Sequence, residues 1–186
     1  MSRIFRLVAL SFTLLAGVPA FAAEYHKSGD WVFHSSAFAT DGDVTWDACV
    51  ASTTSMDGTE LTLRLEPAAD GFEAVMGLTN DGWSLGAEAA RIRLDIGSGR
   101  WMLQGEATGA EARVAWTGDA AILPFLEDFA SSSFAVLMAR DGATVSQFSL
   151  RGSRKAIEAM TSCVEAQIGQ GLAEVLAAAE LDGNPF

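Results

Sequence analysis

Between Gly29 and Leu150 apolar and polar residues alternate with a period of two, in runs too short for helices. Trp31 and Phe33 open the pattern; Trp46, Ala48 and Val50 repeat it, and Leu61, Leu63 and Leu65 alternate with Thr62 and Arg64. Further copies fall at residues 72–78, 92–96, 101–103, 114–116, 134–138 and 145–150. Asp41-Gly42, Asp57-Gly58, Asp70-Gly71, Asp81-Gly82 and Asp141-Gly142 separate the runs, and Asp-Gly supplies the positive φ of a tight hairpin. Short strands at such intervals, without helices between them, predict an antiparallel meander rather than a parallel α/β sheet.

Two stretches break the period. Ile122, Leu123, Leu126 and Phe129 fall at helical spacing, with Pro124 near the start, and predict a short helix near residues 120–131. After Gly152 the period becomes 3.6: Ser153 is a fitting N-cap, and Ile157, Met160, Val164 and Ile168 form an apolar stripe with Cys163 at its margin. Gly169 and Gly171 are expected to end that helix, with a second, weaker helical turn or two after them. The fold class that follows is mainly β: an antiparallel β-sandwich or open barrel, with a C-terminal helix packed on the sheet.

The first residues carry a different signal. Arg3 and Arg6 precede an apolar run at residues 7–18, and Ala20-Phe21-Ala22 is a small-x-small cleavage sequence. Residues 1–22 therefore read as a secretory signal peptide, and residues 23–181 as a single β-rich domain with a loose tail at 182–186. The apolar run is shorter than the roughly 20 residues a spanning helix needs, so no membrane span is expected. The location expected is periplasmic or secreted.

Charge narrows the partners. The whole chain has 12 basic and 24 acidic residues; losing Arg3 and Arg6 shifts the net charge from −12 to −14. Nucleic acids and anionic membrane surfaces need basic footprints, so neither is an expected partner. Cys49 and Cys163 are the only cysteines, and an oxidising compartment predicts that they pair. The bond would close a long loop, worth up to roughly 4.7 kcal/mol in the chain-entropy description.

Catalytic signatures are missing: the chain has no Gly-x-Ser-x-Gly elbow, phosphate loop, His-Glu-x-x-His or dinucleotide fingerprint. His34 is the single histidine inside a predicted strand, and a hydrolase built on it with an aspartate and a serine is the alternative reading. Asp41, Asp43 and Asp47 flank Gly42 but lack the ligand spacing of a calcium loop, so a plain hairpin turn is expected and no metal site is assigned. The five tryptophans are expected in the core, except Trp83, which follows the turn Asn80-Asp81-Gly82 and is a candidate ligand contact. Asp81-Gly82-Trp83 is also the exposed loop an inhibitor of a periplasmic enzyme would use. Arg151, Arg154 and Lys155 crowd the start of the C-terminal helix, where free amides and cations suit a small anion or a partner carboxylate.

Gly29-Asp30-Trp31, the apolar-flanked Cys49 and the run Phe148-Ser149-Leu150-Arg151-Gly152-Ser153-Arg154-Lys155-Ala156 together resemble the invasion-associated locus B-like family of small exported alphaproteobacterial proteins. The resemblance implies a β-sandwich-like periplasmic domain, in some members linked to host-cell invasion, with no assigned catalytic site. Better-known members carry additional cysteines, so their disulfides do not transfer. The expectation is a non-catalytic binding or interaction module of the cell envelope, without a cofactor, whose partner is an envelope protein or a small anionic ligand.

Overall fold

The computed structural model describes residues 25–39, 45–68, 71–117 and 119–181. Residues 1–22, read above as a signal peptide, the turn expected at Asp41-Gly42-Asp43, the Asp47 side chain and residues 182–186 lie outside the described residues. In chain order the elements are β1 (Tyr25–Ser28), β2 (Trp31–Ala39), β3 (Thr45–Thr54), β4 (Glu60–Ala68), β5 (Gly71–Thr79), β6 (Leu85–Ile96), β7 (Gly99–Gly109) and β8 (Glu111–Thr117). Helix α1 (Asp119–Ser131), β9 (Phe134–Met138), β10 (Thr144–Ser149) and α2 (Ser153–Leu181) complete the chain.

All ten strands form one antiparallel sheet, in the order β1-β2-β3-β4-β5-β8-β7-β6-β9-β10. Of the two architectures expected, a single curled sheet stands nearer to an open barrel than to a two-sheet sandwich. The simple meander expected from the sequence holds only through β5. The chain then skips to β6 and returns through β7 and β8, so that β8 pairs with β5 from Glu73↔Thr117 to Thr79↔Glu111. Periodicity encodes which face a strand buries and not which neighbour it takes. Here Ala112 and Val114 continue the buried row begun by Leu78 and Met76.

One face of the sheet carries the core. Trp31 and Phe33, Cys49 and Ala51, Leu61 to Leu65 at alternate positions, and Ile92, Leu94 and Ile96 are buried on it. Both helices fill the hollow of that face. Helix α2 inserts Ala156, Ile157, Met160 and Val164, and α1 inserts Ile122, Phe125, Leu126 and Phe129. Phe125 is the hub of the aromatic packing, 5.2 Å from Trp101, 5.0 Å from Trp116 and 4.9 Å from Phe129 between ring centres, with Trp101 met edge-to-face as the ring quadrupoles favour. Trp31 meets Phe129 edge-on, and its Nε1 donates to the Ser149 carbonyl at 2.9 Å.

The disulfide joins Cys49 on β3 to Cys163 on α2, across 114 residues and a Cα separation of 6.0 Å. Tyr25–Ser28, ahead of the alternating stretch, adds a strand paired to β2. Two local expectations change. Pro124 sits inside α1, where its missing N–H removes one ladder bond. Helix α2 runs unbroken through Gly169 and Gly171 to Leu181. Each glycine costs the helix about 1 kcal/mol relative to alanine but carries no clash that would force an end.

Candidate functional site

The predicted basic corner lies where β10 runs into α2, and the far end of the sheet closes on it. The β1–β2 turn abuts the β10–α2 junction: Asp30 N–H donates to the Arg151 carbonyl at 2.9 Å. Gly29 and Gly152 both have positive φ, at 60° and 97°. A Cβ on Gly152 would overlap the Ser28 carbonyl, and one on Gly29 the Arg151 carbonyl. Only glycine permits this approach of two backbones.

Side chains reinforce the joint. Arg151 Nη2 donates to Asp30 Oδ1 at 2.8 Å, and Ser149 Oγ to Asp30 Oδ2 at 2.6 Å. The Arg151 guanidinium, helped by the Ser149 hydroxyl, holds the Asp30 carboxyl below the usual range, and Asp30 in turn raises Arg151. Arg151 is thus matched within the fold. Ser153 is not the N-cap expected: Gly152 supplies the carbonyl that accepts the Ala156 N–H. The Ser153 hydroxyl is buried instead and donates at 2.8 Å to the Phe129 carbonyl, tying α2 to α1. Arg154 and Lys155 are exposed and make no ion pair among the described residues.

A second seam lies alongside. Asp57, in the turn between β3 and β4, accepts hydrogen bonds from the Ser55 hydroxyl, from Thr59 N–H at 3.2 Å and from Ser146 Oγ of β10 at 2.9 Å. These donors, Ser55 above all, pull its carboxyl down to about 2.

The other sequence candidates are dispersed. Trp83 is half-buried against the core cluster in the β5–β6 loop, with its backbone N–H on the Asn80 carbonyl at 2.9 Å. His34 is half-buried on β2, flanked across the ladder by Tyr25 and Val50, and bonds to no carboxylate or hydroxyl among the described residues. No metal-binding group of three His, Cys, Asp or Glu residues forms among the described residues.

Sequence reading missed a larger basic feature on the face of the sheet turned away from the helices. There β6, β7 and β9 line a hollow of about 710 Å³ that includes Arg91, Arg93, Arg100, Arg140, Met102 and Met138. Arg91 and Arg93 share a face because they are two apart on β6. Register sets Gln104 opposite Arg91, and places Met102 and Met138 on either side of Arg93. Arg140 enters from the β9–β10 turn. No acidic residue among the described residues lines the hollow.

The nearest acid is Asp95, which takes a two-pronged contact from Arg93 at 3.0 and 2.6 Å and a longer one from Arg100 at 3.5 Å. Arg93 therefore lowers the Asp95 carboxyl, and Asp95 raises Arg93. Arg91 and Arg140 make no ion pair among the described residues. Asp141 beside Arg140 accepts the Ala143 N–H at 3.0 Å instead. The sequence signal was Arg91-Ile92-Arg93, but Arg100 and Arg140 join it only once the strand register is known.

The chain is similar in fold to invasion associated protein B of Bartonella henselae. The crystal structure of that protein superposes with a TM-score of 0.50 at 12% identity, over 77% of this chain and 99% of the other. At that identity the likeness establishes the fold, in agreement with the resemblance read from Gly29-Asp30-Trp31, Cys49 and the run into α2. No family model and no curated protein matches the chain. No helix among the described residues is long and apolar enough to cross a membrane. The Cys49–Cys163 bond fits an extracytoplasmic location.

Proposed function

We propose that the protein is a non-catalytic binding module of the cell envelope, released into the periplasm or beyond by removal of residues 1–22. The observation that carries this reading is the arginine-walled hollow on the outer face of β6, β7 and β9, in a chain whose formal charge is −12. Helices occupy the inner face of the sheet, so the broad concavities face outward. The fold shared with invasion associated protein B supplies a scaffold, and the arginines supply the contact surface. The disulfide supports export, because such a bond persists where thiols oxidise.

Photocrosslinking in the native host tests the reading. A photoreactive residue at Gln104, exposed in the hollow, is expected to give a discrete adduct, whereas one at Glu111, exposed on β8, gives none. Failure to form an adduct at Gln104, or labelling of the protein by a serine-hydrolase probe, overturns it. Sequencing the exported protein checks the compartment, with Ala23 as its expected first residue.

A further inference from the structure

We infer that the hollow on β6, β7 and β9 receives an acidic peptide segment of a partner protein, lying extended across the strands. The assignment rests on the binding reading above and adds the class of partner. Three features of the hollow carry it.

The first is unmatched charge. Four arginines line the space and no acid among the described residues does; Asp95 beside it satisfies Arg93 and part of Arg100. Arg91 and Arg140 have no acidic partner among the described residues. A guanidinium presents a planar fork of donors that matches a carboxylate with two parallel bonds. An incoming carboxylate would give Arg91 and Arg140 the counter-charge that Asp95 gives Arg93.

The second is chemistry between the charges. Met102 is 61% exposed, an unusual position for a long apolar side chain on a sheet face, and Met138 lies across Arg93 from it. Thioether side chains are flexible and polarizable, suited to apolar groups of varied shape. A strip of arginines with methionines between them fits a segment in which carboxylates alternate with apolar side chains.

The third is size and setting. The hollow is open to solvent, and its volume of about 710 Å³ falls in the range of ligand clefts and greatly exceeds one phosphate. A membrane surface is larger still. It would meet the acids that give the chain 24 carboxylates against 12 cations, and screening over about 8 Å at physiological salt does not hide so broad a contact. A peptide confined to the hollow meets mainly the arginines and methionines that line it.

Fluorescence anisotropy of a short blocked peptide of alternating glutamate and leucine tests the inference on the full mature protein. Wild type is expected to bind, more weakly as salt rises, and not to bind the same peptide with glutamine for glutamate. The double variant Arg91→Glu/Arg140→Glu is expected to weaken binding at least roughly tenfold, since each lost charge-assisted pair is worth about a decade. Lys27→Glu, exposed on β1 and not among the residues that line the hollow, controls for overall charge and leaves affinity unchanged.

Undiminished binding in the Arg91/Arg140 variant overturns the inference. So does a loss confined to Arg154→Glu/Lys155→Glu, which moves the ligand to the α2 corner. Binding of phosphatidylglycerol vesicles through Arg91 and Arg140 without peptide binding overturns it in favour of a lipid surface. A crosslinked adduct at Gln104 alongside a negative peptide result removes the acidic-peptide class and leaves the binding reading standing. Loss of both removes both.

Discussion

At the junction of β10 and α2, three cations stand within five positions of the chain, Arg151, Arg154 and Lys155. On the outer face of β6, β7 and β9, four arginines arrive from positions 91, 93, 100 and 140. The corner is compact in sequence; the fold pairs Arg151 with Asp30, leaves Arg154 and Lys155 without an ion pair among the described residues, and turns the surrounding backbone into a joint between the two ends of the sheet. The outer hollow is dispersed in sequence, and the fold leaves two of its arginines unmatched among the described residues. Proximity along a chain thus marked a structural clasp, while strand register assembled the surface available to a partner. Changes at the clasp should therefore cost stability, and changes in the hollow should cost binding.

The largest effect is expected from the bond that holds α2, and with it the corner, to β3. Cys49→Ala/Cys163→Ala frees a loop of 114 residues and should lower unfolding stability by about 4 kcal/mol. Chemical denaturation of oxidised wild type and variant measures it. Below the melting range, peptide affinity in the hollow should stay unchanged, because α2 packs on β1 to β4 while the arginines sit on β6, β7 and the β9 end. A parallel loss of affinity would break the separation of the two regions.

The next effect belongs to the clasp itself. Gly152→Ala places a methyl against the Ser28 carbonyl at φ 97°, and neither backbone can swing away without parting β1 from α2. Strain and overlap together should cost about 3 kcal/mol, read as a lower denaturation midpoint. A wild-type midpoint for this variant would show that the two sheet ends do not meet as described.

How much of this was legible follows from what each signal encodes. Alternation at Leu61, Leu63 and Leu65 named the buried face, and the stripe Ile157, Met160 and Val164 named the helix side that packs on it. Cys49 and Cys163 announced their bond through compartment and count. The jump from β5 to β6 was hidden, because any strand with the right alternation can continue Leu78 and Met76. Ser153 misled because an N-cap and an inter-helix hydrogen bond ask for the same hydroxyl. The arginine hollow needed the pairing of Arg93 with Met102 and Met138 before its members could be seen as neighbours.

Acid should loosen the seam and sharpen the contrast further. The Asp57 carboxyl titrates at about 2 in the fold against 3.8 ordinarily, because Ser55, Thr59 and Ser146 donate to its charged form. A carboxyl lowered by folding contributes stability above its unfolded value, and that contribution disappears as pH falls from 3.8 toward about 2. Asp30 is lowered too and adds in the same direction. Wild type should therefore lose stability more steeply across this window than Asp57→Asn, by a modest margin, since Asp57 is exposed to screening solvent. Identical acid profiles would remove Asp57 from the closure of the sheet.

The smallest effect is the one on which the contrast turns. Arg91→Gln/Arg140→Gln removes two exposed side chains that contact no acid, so the denaturation midpoint should move by no more than about 0.5 kcal/mol. The sign should be toward greater stability, because two positive charges leave a face that keeps Arg93 and Arg100. Arg93→Gln differs: it strips Asp95 of its two-pronged partner and leaves only the longer contact from Arg100. Stability unchanged or raised at 91 and 140, but lowered at 93, is the pattern of a surface whose unmatched members are kept for a partner. A clear loss at all three positions would make the hollow a second structural cluster, no different in kind from the corner.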